Sequence, residues 1–321
     1  MGNKKDRDLA IEALRWIAIL AVVFHHGISL SRHSQDTIEV VRQVKAWLGW
    51  CVPAFLAVSG AFVPRGRPFL EFVSTRARRL LVPFVSVSTL SWMGFSLIAM
   101  VFHLSADAHL LDFQGFLLKM VFLEGFGPQL YFLTYLFFVA CIWRGLSAFL
   151  SWGAVVGVLV CFLVAQCHWF IEPLGLLGPG LDKPIPYALC FALGAWLYQA
   201  KSESRLAALS WLVVLSAAAG TAAVLLHAVW PIEIVAGPWI YVALTLLKPG
   251  SWIPKTLWEW NSAAVYLWHA PIILMGFSVG LDAIGVRDGW NFVASCILSV
   301  PSSLVLDKFV SRTPLYPLMR L

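Results

Sequence analysis

Within the run IEALRWIAILAVVFHHGISL an acid, a guanidinium and two imidazoles interrupt a segment that is otherwise apolar. On a helix, at about 100° per residue, Arg15 and His26 return to within about 20° of the same face, whereas His25 falls about 80° away. Glu12 lies on the same stripe, about 60° from Arg15, and its i,i+3 spacing suits an ion pair with the guanidinium. Along the axis Arg15 and His26 are separated by about 16 Å. A neutral imidazole, with an ordinary pKa of about 6.5, is able to take a proton from a hydroxyl, which suits group transfer onto an alcohol. The competing account has Arg15 snorkelling to lipid headgroups and the histidines resting in the interface, with no chemistry at all.

Three further groups of residues have types that could act. RPFLEFVSTRARRLLVPF carries Arg67, Arg76, Arg78 and Arg79, and on a helix Arg76 and Arg79 are i,i+3 neighbours that form a fork-like patch for a nucleotide or lipid phosphate. The same charges also serve as positive-inside anchors, and spacing alone does not separate the two roles. WCVPAFLAVSGAF places Pro53 and the Ser59–Gly60 pair in an apolar run, where either a packing kink or a close approach is expected. SAAVYLWHAPIIL adds a second intramembrane histidine, His269, which ranks below His26 because a lone histidine on a helix is more often a packed, hydrogen-bonded residue.

The elements that must position these residues follow from composition. Of 321 residues 60% are hydrophobic and 12% charged, there are 16 tryptophans, and the mean hydropathy is +0.80. A soluble domain needs about a quarter of its residues charged, so most of this chain's outer surface meets hydrocarbon. The six cysteines form no CxxC pair, which argues against a zinc site or disulfide framework, and no metal is expected. The net charge of +6 is read as topology rather than as nucleic-acid binding.

Apolar runs at 9–30, 46–63, 80–102, 130–149, 152–170, 186–200, 206–229, 232–247, 261–281 and 290–310 predict an all-α polytopic bundle of about ten transmembrane helices. The segment 113–123 is a candidate interfacial helix. Alternating the spans from a cytoplasmic N-terminus puts sixteen Lys and Arg inside and six outside, with Arg15 in the membrane, so both termini are expected in the cytoplasm. Trp47, Trp152, Trp230, Trp252 and Trp290, near span ends, fit an interfacial belt. The first run resembles a secretory signal, but Glu12 and Arg15 within it favour a retained helix. No repeat or linker is evident, so residues 1–321 are expected to form a single membrane domain with no separate soluble part.

These segments together resemble the membrane-bound acyltransferase family 3, bacterial proteins that move acetyl or related groups from coenzyme A onto sugars and other hydroxylated acceptors. IEALRW is similar to the family's LDGLRG opening, followed by its arginine-to-histidine spacing, with Glu12, Arg15 and His26 in register. VPAFLAVSGAF resembles the VPxFFxxSGF segment and carries Pro53, Ser59 and Gly60, while TRARRLLVP resembles RxxRLxP with Arg76, Arg79 and Pro83. LYFLTYL resembles the WFL segment, with Tyr131 where tryptophan is common, and YLWHAP resembles YLxHxP with His269. Trp16 and Ala61 depart from the small residue after the arginine and from the SGF element.

The resemblance implies an O-acyltransferase of the bacterial inner membrane. It would take an acyl group, acetyl in the first instance, from cytoplasmic acyl-CoA and move it to a hydroxyl of a surface or lipid-linked glycan. His26 would be the general base, with Arg15 and Glu12 beside the donor path and Arg76 and Arg79 on the phosphates of coenzyme A. Ser59, Gly60, Tyr131 and His269 would serve substrate or structure. The expected partners are the glycan acceptor, membrane lipids and polysaccharide-assembly proteins, without nucleic acid. A transporter or flippase for a lipid-linked saccharide is the rival reading, since a polar seam would equally line a permeation path. A structural subunit of a polysaccharide assembly is the third.

Overall fold

Proline and glycine decide the course of this chain more than propensity does, because most of its helices are too apolar to be told apart by composition. The computed structural model describes residues 9–30, 43–45, 47–63, 68–101, 112–121, 125–127, 129–147, 188, 190–196, 210, 213, 214, 216, 217, 230–247, 261–286, 288–314 and 316–319. These are helical, with no strand among the described residues. In chain order they give α1 (Leu9–Leu30), α2 (Cys51–Ala61), α3 (Phe69–Val101), α4 (Phe113–Val121), α5 (Tyr131–Leu146) and α6 (Trp230–Leu247). Then follow α7 (Ser262–Trp268), a π turn (His269–Ile273), α8 (Leu274–Ala283), α9 (Asp288–Val310) and α10 (Tyr316–Met319).

Among the described residues three helices, Leu9–Ile28, Phe69–Leu97 and Gly289–Val310, are long and apolar enough to cross a membrane. Shorter apolar helices lie at Cys51–Ala61, Tyr131–Leu146, Val235–Leu244 and Leu274–Ala283. The run 152–170, with Trp152, and also Trp252 lie outside the described residues, as do seven of the fifteen residues of 186–200 and most of 206–229. Trp47 and Trp290 are exposed, as an interfacial belt requires.

Two boundaries differ from the sequence expectation. The third run, expected from residue 80, begins at Phe69, and α3 is 33 residues long. At about 1.5 Å per residue that is roughly 50 Å, well beyond a hydrocarbon core of about 30 Å, so Arg76, Arg78 and Arg79 stand on a helical extension. Hydropathy sees only the part that tolerates lipid, whereas arginine is itself a good helix former. The ninth run, expected as one helix over 261–281, is broken at His269–Ile273, where Ala270 has φ −132° and ψ 149°. Pro271 explains the break, because proline pushes the residue before it out of the helical region. Pro53 frees no carbonyl within α2, since it falls in the first turn, where the N–H has no helical partner anyway.

The described residues of Met1–Ala18, Gly49–Phe72 and Phe138–Glu259 form one compact unit. Here α2 packs on α6 and on the helical stretch 190–196 through small residues. A Cβ on Gly60 would overlap the Phe191 carbonyl, one on Gly194 the Ala57 carbonyl, and one on Gly237 would lie 2.7 Å from Ala54 Cα. Such backbone contact is how membrane helices associate where hydrocarbon offers no hydrophobic drive. Ile11, Leu14, Ala57, Gly237 and Tyr241 line a small apolar cleft in this unit.

The described residues of Ile19–Leu48, Val73–Phe137 and Trp260–Leu321 form the second unit. Its α9 packs against α7, the π turn and α8. One face of α9 carries Asn291, Ser295, Ser299 and Ser303, all buried. Ser299 and Ser303 return their hydroxyls to backbone carbonyls of the same helix, which satisfies them without widening the interface. Asn291 Nδ2 donates to the carbonyls of Ser278 (2.8 Å) and Val286 (3.1 Å), tying the α8–α9 connection. Gly27 of α1 meets Cys296 of α9, beside an edge-on contact of Phe24 with Phe292 at 5.8 Å. On the other side Phe95, Phe116 and Phe126 cluster with Trp92, Met120 and Met275, seating the short helix α4.

The glycines give a direct test of this packing. Gly60→Val should lower thermal stability in detergent by about 1 to 3 kcal/mol, the usual cost of overpacking. Gly276, where an added Cβ meets nothing within 4 Å, should accept Ala with no loss. Equal melting temperatures for both variants would refute close approach at Gly60.

Candidate active site

The stripe along α1 contains two distinct groups. In its first turns the Arg15 guanidinium meets both oxygens of Glu12, at 3.2 and 3.3 Å, so the expected i,i+3 pair is present. Both side chains are partly buried, Arg15 at 32% and Glu12 at 19% exposure, and their chain neighbours Leu14 and Ile11 are buried. Farther along the helix, the half-buried His26 lies edge-on to His25, with centroids 5.6 Å apart. The outcome the sequence ranked lower is that His269 joins His26. Their ring centroids are 5.5 Å apart at an interplanar angle of 35°.

His269 is fully buried, and its surroundings determine which nitrogen is basic. Nδ1 lies 2.9 Å from the carbonyl of Val265 and 2.9 Å from that of Tyr266. Carbonyl oxygens only accept, so Nδ1 carries the hydrogen and donates to them, leaving Nε2 of the neutral ring as a bare acceptor. Among the described residues Nε2 has no hydrogen-bond partner. The arrangement is a half-buried imidazole next to a second one whose free lone pair is fixed by backbone, suited to receiving a hydroxyl or N–H hydrogen.

The backbone that fixes His269 is itself repaired from another element. Pro271 has no N–H for the Leu267 carbonyl one turn back. Gln129, buried in the turn before α5, donates through Nε2 to Leu267 O at 3.2 Å and also to Ala270 O. The Tyr266 hydroxyl donates in return to the Gln129 carbonyl. The turn is held by Ser88, whose Oγ accepts from the Phe126 N–H at 3.2 Å, and by Gly125 at φ +71°, a conformation that favours glycine. Neither Gln129 nor Tyr266 stood out in the sequence. The only signal was an amide in a strongly apolar neighbourhood.

The remaining candidates are placed as follows. Arg76 is half-buried and Arg79 exposed, as is Arg78, all on the N-terminal part of α3. Ser59 is half-buried and Gly60 is at the close approach to Phe191. The Tyr131 ring lies edge-on to Tyr135 at 5.5 Å, and its carbonyl accepts from Thr134 at 2.6 Å. Among the described residues no group of three or more His, Cys, Asp or Glu is placed to hold a metal ion.

With these histidines, the ion pair and the arginines in place, comparison with known families is decisive. A family model described as an acyltransferase domain, that of acyltransferase family 3, matches residues 8–308. The chain belongs to this family. It is therefore an acyltransferase of membrane character, with all four α1 and α3 candidates and both histidines inside the matched span. No curated protein and no solved structure matches it significantly.

The hydrogen-bond geometry at His269 separates its two nitrogens experimentally. His269→Asn keeps an N–H donor near the position of Nδ1 and should stay within about 1 kcal/mol of the parent, whereas His269→Leu removes that donor from the Tyr266 carbonyl, the Val265 carbonyl keeping the His269 backbone N–H, and should cost about 1 to 3 kcal/mol. Thermal unfolding of the purified variants in detergent measures both. Equal stability of the two would show that Nδ1 contributes nothing to the bend.

Proposed function

We propose that this chain is an O-acyltransferase that carries an acyl group, acetyl in the first instance, from cytoplasmic acyl-CoA to a hydroxyl of a surface or lipid-linked glycan. The observation that carries the reading is the pairing of His26 with the buried His269 in a chain of this family. His26 takes the proton of the acceptor hydroxyl as its oxygen attacks the thioester carbonyl. The carbon–sulfur bond breaks, the thiolate of coenzyme A leaves, and the proton on His26 passes to that sulfur. His269 supports the step with the acceptor lone pair on Nε2. Arg76 and Arg79 are assigned to the phosphates of coenzyme A, since arginine matches phosphate oxygens in a fork. Arg15, oriented by Glu12, is assigned to the donor path, and Ser59, Gly60 and Tyr131 to substrate contact or packing.

The proposed setting is the inner membrane of a bacterium, with ten spans and both termini in the cytoplasm. That orientation puts the start of α1 and the arginines of α3 on the side of the acyl-CoA pool and the histidine end of α1 on the side of the glycan. Reporter fusions after residues 35 and 115 should then read outside, and those after 70 and 203 inside. A reversed pattern would remove the basis for assigning donor and acceptor to opposite faces.

The catalytic claim is tested by the adjacent histidines. His26→Ala should reduce acyl transfer to the glycan by on the order of a hundred- to ten-thousand-fold, the usual loss with a general base, while His25→Ala should cost far less. Acyl groups on the glycan and free thiol released from acetyl-CoA are to be measured at matched membrane abundance. A chain that moves saccharide without consuming thioester is a transporter, and one in which His26→Ala keeps full activity has its base elsewhere.

A further inference from the structure

A membrane helix interrupted by proline leaves a carbonyl that water cannot reach, and some other donor must supply the missing hydrogen. In the segment YLWHAP the interruption falls immediately after His269. Ala270 is extended, Pro271 has no N–H, and the carbonyls of Leu267 and Ala270 both accept from the Gln129 amide. Gln129 is 2% exposed, and its own carbonyl receives the Tyr266 hydroxyl, so amide and backbone of one residue grip the bend from two sides. Tyr266 and Val265 supply the carbonyls to which His269 Nδ1 donates. The residue that repairs the break therefore also holds the turn of helix that orients the imidazole.

We propose that Gln129 is a positioning residue for His269. Its amide replaces the hydrogen that Pro271 lacks, keeps the bend in one conformation, and so holds the His269 ring beside His26 with Nε2 free. The effect is indirect, acting through the backbone, and the inference rests on the acyl-transfer reading of the histidine pair given above. Without the amide the Leu267 and Ala270 carbonyls lose their donor, and the turn that carries His269 is no longer anchored beside His26. The donor site is not touched by such a change.

The test replaces Gln129 by Met, which fills nearly the same volume and donates nothing. Parent, Gln129→Met and His26→Ala are compared in membranes at matched abundance. Thiol release from acetyl-CoA gives kcat and KM, and the acyl content of the glycan gives the product. Gln129→Met should lower kcat by roughly ten- to a hundred-fold, the scale of a misplaced catalytic group, with KM for acetyl-CoA within about a factor of two of the parent. Parental kcat in this variant would overturn the proposal, because packing volume alone would then suffice. A raised KM at unchanged kcat would also overturn it and move Gln129 to donor binding. If Gln129→Met fails to accumulate, Tyr266→Phe removes one hydroxyl from the same grip and should lower kcat alone by a smaller factor. An unchanged kcat there overturns the proposal equally. Should the parent release no more thiol than His26→Ala, it is the acyl-transfer reading itself that falls, and the role of Gln129 with it.

Discussion

A helix within hydrocarbon has nowhere to send an unused carbonyl except to another part of the protein, and this constraint governs the segment on which the proposed chemistry depends. Pro271 makes such a carbonyl at Leu267 and forces Ala270 into an extended conformation. Two side chains donate to the backbone of this segment, and only one of them repairs the break. Gln129 donates to Leu267 and Ala270, while His269 donates through Nδ1 to Val265 and Tyr266. Gln129 satisfies the broken backbone, and the carbonyls one turn earlier choose the basic nitrogen of His269.

Packing around this bend uses surfaces that keep backbones close and polar groups occupied. The serines of α9 bond within their own helix, so α9 presents a smooth buried face to α7, the π turn and α8. Asn291 closes the α8–α9 connection, and Gly27 lets α1 approach Cys296 next to His26. In the unit containing α2 the same device appears at Gly60, Gly194 and Gly237, where each lost side chain allows backbone contact. Bulk is supplied separately, by the phenylalanines that anchor α4. Small residues set distances, and aromatic ones fill the space left over.

Local pattern made much of this legible. The 3.6-residue period alone brings Glu12, Arg15 and His26 to one stripe of α1, and the i,i+3 spacing alone predicts the ion pair found between Glu12 and Arg15. The apolar runs located α1, α5, α6 and α9 to within a few residues, and the candidate interfacial helix is present as α4. Where the pattern misplaced an element, local chemistry was the reason. α3 begins before its hydrophobic part because charged residues extend a helix readily, and the run containing His269 is split because a proline breaks a helix without changing hydropathy.

What composition and spacing determined by themselves is the helical, membrane character of the described residues and the residues that share a face of one helix, since both depend on interactions within a few residues. What only the tertiary structure decided is which distant residues meet. His26 and His269 come from opposite ends of the sequence, and the amide that completes the bend is 138 residues from the carbonyl it serves. No periodicity relates such positions. Their meeting is set by the packing of α1, α9 and the broken helix, and by the need of a buried carbonyl for a donor wherever the fold can bring one.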